Sequence, residues 1–133
     1  MEIKRQKPMV EAYHYDQRIP DQEYETKLNV GFAPLESNDP NYPKENSILG
    51  ARLEFVLAFK EYVLSGQISQ INHILNRKIT QQEDLTKEEI DIIVAPLFDL
   101  VERISYEVTE IATDEPGLKL NFQADATLAE AEE

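Results

Sequence analysis

Over residues 47–64 apolar and polar side chains alternate for longer than anywhere else in the chain. Leu49, Ala51, Leu53, Phe55, Leu57 and Phe59 share one parity, while Arg52, Glu54 and Lys60 take the other. A period of two sends successive side chains to opposite faces, so this run predicts a long strand with one face in a core. Ser65-Gly66 reads as the turn that follows, and residues 67–76 as its returning partner. The partner alternates poorly: Ile68 and Ile74 share one parity, Ile71 and Leu75 the other. A bulge between Ile68 and Ile71 would reconcile them. Upstream, Tyr24, Thr26, Leu28, Val30 and Phe32 form a second clean stripe opposite Glu23, Glu25, Lys27 and Asn29. Residues 9–16 make a further strand, ended by the turn-like Arg18-Ile19-Pro20-Asp21. Residues 34–46 hold Pro34, Pro40 and Pro43 among Asn and Asp, and predict a loop of unusual length.

The period changes after Thr86. Thr86-Lys87-Glu88-Glu89 has the form of a capping box, with Thr86 as N-cap and Glu89 reaching back. Pro96 cannot donate to the carbonyl four residues before it, so the pattern predicts a short helix over 86–94 and a second over 96–112. In the second, Leu97, Val101, Ile104, Val108 and Ile111 fall on one stripe. Asp114-Glu115-Pro116-Gly117 stops it, and Leu118, Leu120 and Phe122 then alternate with polar residues. Residues 124–133 are small and acidic and are expected to be disordered. The whole reads as one α+β domain over residues 1–123, a four-stranded antiparallel meander packed against C-terminal helices.

Composition narrows the chemistry. A chain of 133 residues supports one core, and the absence of cysteine excludes disulfides, thiolate metal sites and cysteine nucleophiles. The net charge of −13 opposes nucleic acid, whose phosphates need Lys and Arg, and favours basic or mixed-charge protein partners. No segment reaches the ~20 apolar residues of a membrane span, and the basic N-terminus lacks a signal-peptide core, so a cytoplasmic location is expected. His14 and His73 sit on separate strands without an acidic motif at ligand spacing, and no phosphate loop, dinucleotide fingerprint or zinc-protease motif is present. No catalytic residue, metal ligand or cofactor is therefore expected, and the chain does not read as an enzyme. What remains is surface. Leu35 and Tyr42 from the long loop, with Tyr62 and Leu64 where the strand alternation changes parity, are candidates for an apolar strip that takes an extended polypeptide. Leu97, Val101, Ile104 and Val108 are candidates for an oligomer interface.

The order of elements adds a relative. Ile93-Val94-Ala95-Pro96-Leu97 opening a helix, residues 101–109 along it, and Pro116-Gly117-Leu118-Lys119-Leu120-Asn121-Phe122 after it resemble the SecB-like export-chaperone superfamily. The chain is most similar to that superfamily's small uncharacterised Gram-positive branch. The resemblance implies a homo-oligomer, dimer or tetramer, that holds non-native polypeptide; the alternative is a structural or adaptor oligomer with no client-holding activity. Two differences from SecB stand out. The link between the first two strands spans only about residues 17–22, and the long loop falls one connection later.

Overall fold

The computed structural model describes residues 2–122. The expected disordered tail at 124–133 lies outside the described residues. Strands β1 (Glu2–Arg5), β2 (Met9–Gln17), β3 (Lys27–Leu35), β4 (Ser47–Ala58) and β5 (Tyr62–Leu75) form one antiparallel sheet, and one helix, α1 (Lys87–Thr113), covers a single face of it. The α+β architecture is the expected one, with β1 as an extra edge strand that the short, basic N-terminal stretch did not signal.

The strand order corrects the meander. β3, β4 and β5 do form one, but β2 pairs with β5, not with β3. Short as it is, the link over residues 18–26 is a crossover that passes around the end of the β4–β5 hairpin. Arg18 Nη1 donates to the Phe59 carbonyl at 2.9 Å, and the Ala58 amide donates to Thr26 Oγ1 at 3.0 Å. Arg18 also lies over the Tyr24 ring, 5.3 Å from its centroid.

The hairpin turn is also displaced from its expected place. It falls at residues 59–61, closed by the Phe59 amide on the Tyr62 carbonyl at 2.9 Å. The parity change at Tyr62 and Leu64 was the mark of this turn. Ser65-Gly66 lies inside β5 instead. A Cβ on Gly66 would sit 2.3 Å from the Ala12 carbonyl oxygen and 2.9 Å from the Phe55 ring, so only glycine fits there.

β4 and β5 keep one unbroken register, and the bulge lies in β2, between Val10 and Ala12. β5 alternates poorly for another reason: two of its inward positions are polar. Gln70 and Asn72 are buried, with their amide nitrogens donating to the Gln6 and Leu49 carbonyls. Around them Leu49, Leu53, Leu57, Leu64, Ile68 and Ile74 pack as the sheet's half of the core.

α1 supplies the other half. Thr86 and Glu89 form the predicted capping box, Thr86 Oγ1 accepting from the Glu89 amide and Glu89 Oε1 from the Thr86 amide. The predicted break at Pro96 does not occur; 27 residues run continuously through it. Proline leaves the Ile92 carbonyl without its helical donor. Arg5 on β1 fills that gap, donating from Nη2 to the Ile92 oxygen at 2.7 Å. Arg5→Ala should cost about 1 kcal/mol in the native chain. It should cost much less beside Pro96→Ala, where the restored amide takes over the carbonyl. A double-mutant cycle of denaturant midpoints checks this, and additive losses would disconnect the two residues.

The buried line of the helix runs Ile93, Leu97, Val101, Ser105, Thr109. Its last two members are polar because each has a partner. Ser105 Oγ lies 3.0 Å from the Tyr13 hydroxyl on β2, and Thr109 Oγ1 donates to the Ser105 carbonyl at 2.7 Å. After Asp114, in the left-handed conformation, residues 116–122 double back along α1. Gly117 makes that reversal possible, since a Cβ there would lie 2.4 Å from the Tyr106 carbonyl oxygen.

Candidate functional site

The sheet face away from α1 carries the residues of opposite parity to the core. Residues paired across antiparallel strands share a face, so Gly31, Ala33 and Leu35 of β3 lie beside Arg52, Gly50 and Ile48 of β4, which lie beside Ser69, Ile71 and His73 of β5. All of these but Ile48 and His73 line an open trough of about 550 Å³ across the sheet, with Gly31, Ala33 and Gly50 as its floor and Leu35 and Ile71 as its apolar flanks. Leu35 and Ile71 are 42% and 37% exposed, which is high for apolar strand residues in a chain that buries its other face so fully.

The floor is made of small residues. A Cβ on Gly31 would meet nothing within 4 Å, and no glycine in the chain has positive φ. Neither conformation nor packing within the chain calls for glycine at that position, although glycine weakens a strand by roughly 0.5–1 kcal/mol relative to alanine. A strand glycine of this kind admits the close approach of another backbone. On Gly50 a Cβ would make ordinary contact, 3.5 Å from the Ala33 carbonyl oxygen.

Charge rims the trough in both signs. The β2 bulge puts Glu11 near Arg52, at 3.7 Å, and Gln67 Nε2 donates to its carboxylate at 3.1 Å. A hydrogen bond from Ser69, helped by Gln67 and Arg52, holds the Glu11 carboxyl below its ordinary pKa. Glu11 is therefore ionised across the neutral range. Glu54 lines the same trough.

The candidate residues separate. Leu35 lines the trough; Tyr42 does not, and packs over the outward-facing His73 with the rings 5.9 Å apart and the hydroxyl 3.1 Å from Nδ1. The loop that carries Tyr42 is braced by an Asx turn, in which the Asn41 amide donates to Asp39 Oδ1 at 2.9 Å. Tyr62 lies at the opposite end and on the opposite face, stacked with Tyr15 and Phe59 at 5.2 and 5.4 Å. Leu64 is fully buried and belongs to the core, which corrects its expected exposure. Leu97 and Val101 are likewise fully buried against the sheet, so they pack this chain's own core and not a subunit contact. Ile104 and Val108 are half-buried, and Ile111 beyond them is 76% exposed. The residues that sequence reasoning missed are Gly31, Gly50 and Ile71. At Gly31 and Gly50 the one signal was glycine inside an alternating strand with no turn residue beside it; at Ile71 it was a parity opposite to that of Ile68 and Ile74.

The arrangement offers an open surface with apolar flanks and a mixed-charge rim. Both nitrogens of His73 are engaged, Nε2 lying 3.2 Å from the Gln6 amide nitrogen and Nδ1 against Tyr42. Among the described residues no three His, Asp or Glu side chains converge on a common point, and no helix is long and apolar enough to cross a membrane.

A sheet of this order with one helix across its inner face has a SecB-like fold. It aligns with the structure of the SecB-like chaperone Rv1957 of Mycobacterium tuberculosis, in complex with a ChAD peptide from the Rv1956 HigA1 antitoxin. The TM-score is 0.50 at 12% identity, over 90% of this chain and 89% of that one. Within that fold the chain belongs to the family described as "Protein of unknown function (DUF1149)", which it matches over residues 1–122. A crystal structure of a protein of unknown function from Streptococcus agalactiae is 35% identical, with a TM-score of 0.83, over 92% of this chain and 98% of that one. No functionally curated protein matches the chain.

Proposed function

We propose that this protein is a non-enzymatic polypeptide-binding module that holds extended, apolar segments of non-native or partner proteins against the outer face of its sheet. The observation that carries this reading is the trough floored by Gly31, Ala33 and Gly50 and flanked by Leu35 and Ile71. Small floor residues let a bound backbone come close, and the flanks give its side chains apolar surface. The likeness to a chaperone whose structure contains a peptide supports the same reading. With a net charge of −13, the chain attracts segments that carry basic residues beside their apolar ones. Self-association as a dimer or tetramer belongs to the reading, with Ile104, Val108 and Ile111 as one apolar strip on α1.

The test is suppression of aggregation of an unfolded client, with Gly31→Phe as the discriminating variant. Its side chain enters open space, so the variant should melt within a few degrees of the native chain. It should fill the trough and raise the ratio needed for suppression at least tenfold. Suppression unchanged in Gly31→Phe would remove the trough from the mechanism. A native chain that suppresses nothing would leave the adaptor oligomer as the better account.

A further inference from the structure

Residues 116–122 lie on α1 as a bound peptide would. They belong to no strand. Two side chains of α1 capture the segment's amides: Leu118 N–H donates to Thr109 Oγ1 at 2.8 Å, and Phe122 N–H donates to Glu102 Oε1 at 2.8 Å. The spacing fits a chain that is free of helix through residue 121 and runs antiparallel to α1. Four extended residues cover about 13 Å and seven helical ones about 10 Å. Leu118, Leu120 and Phe122 share one parity and pack half-buried against the core, while Lys119 and Asn121 point outward. Phe122 stacks on Phe98 with centroids 4.9 Å apart.

The receiving side is built into the helix. Thr109 is 2% exposed, and its hydroxyl proton is already given to the Ser105 carbonyl, which leaves its oxygen free to accept. Glu102 offers a carboxylate oxygen two helical turns earlier. The groove thus recognises features that any extended polypeptide shares, alternating apolar side chains and backbone amides, and it ends on an aromatic platform at Phe98.

We propose that this α1 groove is a second polypeptide site, which takes an extended partner segment of the form apolar-x-apolar-x-aromatic, and that residues 118–122 are its intramolecular competitor. This rests on the reading of the chain as a polypeptide-binding module, but it concerns the helix side of the molecule and not the outer sheet face. A tethered competitor acts at an effective concentration of about millimolar, so it masks the groove against weak segments and yields to strong ones.

The experiment uses a fluorescent peptide of residues 115–123, EPGLKLNFQ, titrated by anisotropy against the full chain. Two variants lift the tethered segment and leave the groove intact. Gly117→Ala strains the reversal against the Tyr106 carbonyl, and Leu120→Ser removes a central anchor. Each should bind the peptide at least tenfold more tightly than the native chain, and a peptide with serine at its second leucine and its phenylalanine should not bind. In the native chain, excess peptide should speed hydrogen exchange at the Leu118 and Phe122 amides, a readout that needs no variant. Equal affinities, or exchange unchanged by peptide, would overturn the proposal. So would a doubling of mass in the Gly117→Ala variant, because the segment would then be exchanged between two copies. Gly31→Phe separates the two sites. Peptide binding lost there would place the peptide in the sheet trough and end this proposal, leaving the outer-face reading standing. Client suppression lost there with peptide affinity intact supports both.

Discussion

Gly66→Ala is expected to lower the unfolding free energy by about 3 kcal/mol, the upper end of what overpacking usually costs, and the melting temperature by roughly 10 °C. The atoms in the way are the reason. The nearest is the Ala12 carbonyl oxygen at 2.3 Å, which is backbone and cannot rotate aside, and the next belong to the Phe55 ring. Ala12 adjoins the bulge, and β2 holds the edge of β5 through residues on both sides of it. The added methyl can be housed only by pushing β2 outward and turning Phe55 out of its place in the core. Circular dichroism melts of the two chains decide it. A loss under 0.5 kcal/mol would mean that Gly66 sits at an accommodating turn, as its Ser-Gly pairing suggests on paper.

Leu97→Ala should cost a similar amount, about 3–4 kcal/mol, as a fully buried leucine whose cavity cannot close between a rigid helix and a sheet. The loss should be independent of protein concentration. A residue at a subunit contact behaves otherwise: its removal shifts the melt by an amount that grows on dilution. Ile111→Ala, at an exposed site on the same helix, should change the monomer's stability by less than 0.5 kcal/mol. If Leu97→Ala produced a melt that depended on concentration, the helix stripe would be an assembly surface after all.

The features that could be read from the chain alone were those governed by neighbours in sequence. The alternation of β4, the Thr86–Glu89 cap and the stop at Asp114–Gly117 all arise within a few residues. What could not be read depended on distant partners. Gly66 looks like a turn unless Ala12 and Phe55 are known to occupy its side-chain space. Pro96 looks like a break unless Arg5 supplies the missing donor. Gln70 and Asn72 spoil the periodicity of β5 because their partners are the carbonyls of Gln6 and Leu49, each more than 20 residues away. The candidate site divided in the same way. Leu35 was visible as an apolar residue in a polar loop, whereas Gly31 and Gly50 gain meaning only once the sheet shows which face they floor.

The crossover at 18–26 has a consequence for how the chain is made. β2 ends at Gln17, but the strand that it pairs with ends at Leu75. At about 5–20 residues per second the ribosome takes roughly 3–12 s to add the intervening 58 residues, the difference between positions 75 and 17. β1 waits longer, since the carbonyl that Arg5 caps lies 87 residues downstream. β1 and β2 thus stay unpaired until a strand made well after them is complete. The β3–β5 meander pairs over shorter sequence separations, so pairing the N-terminal strands carries the larger loop-closure cost.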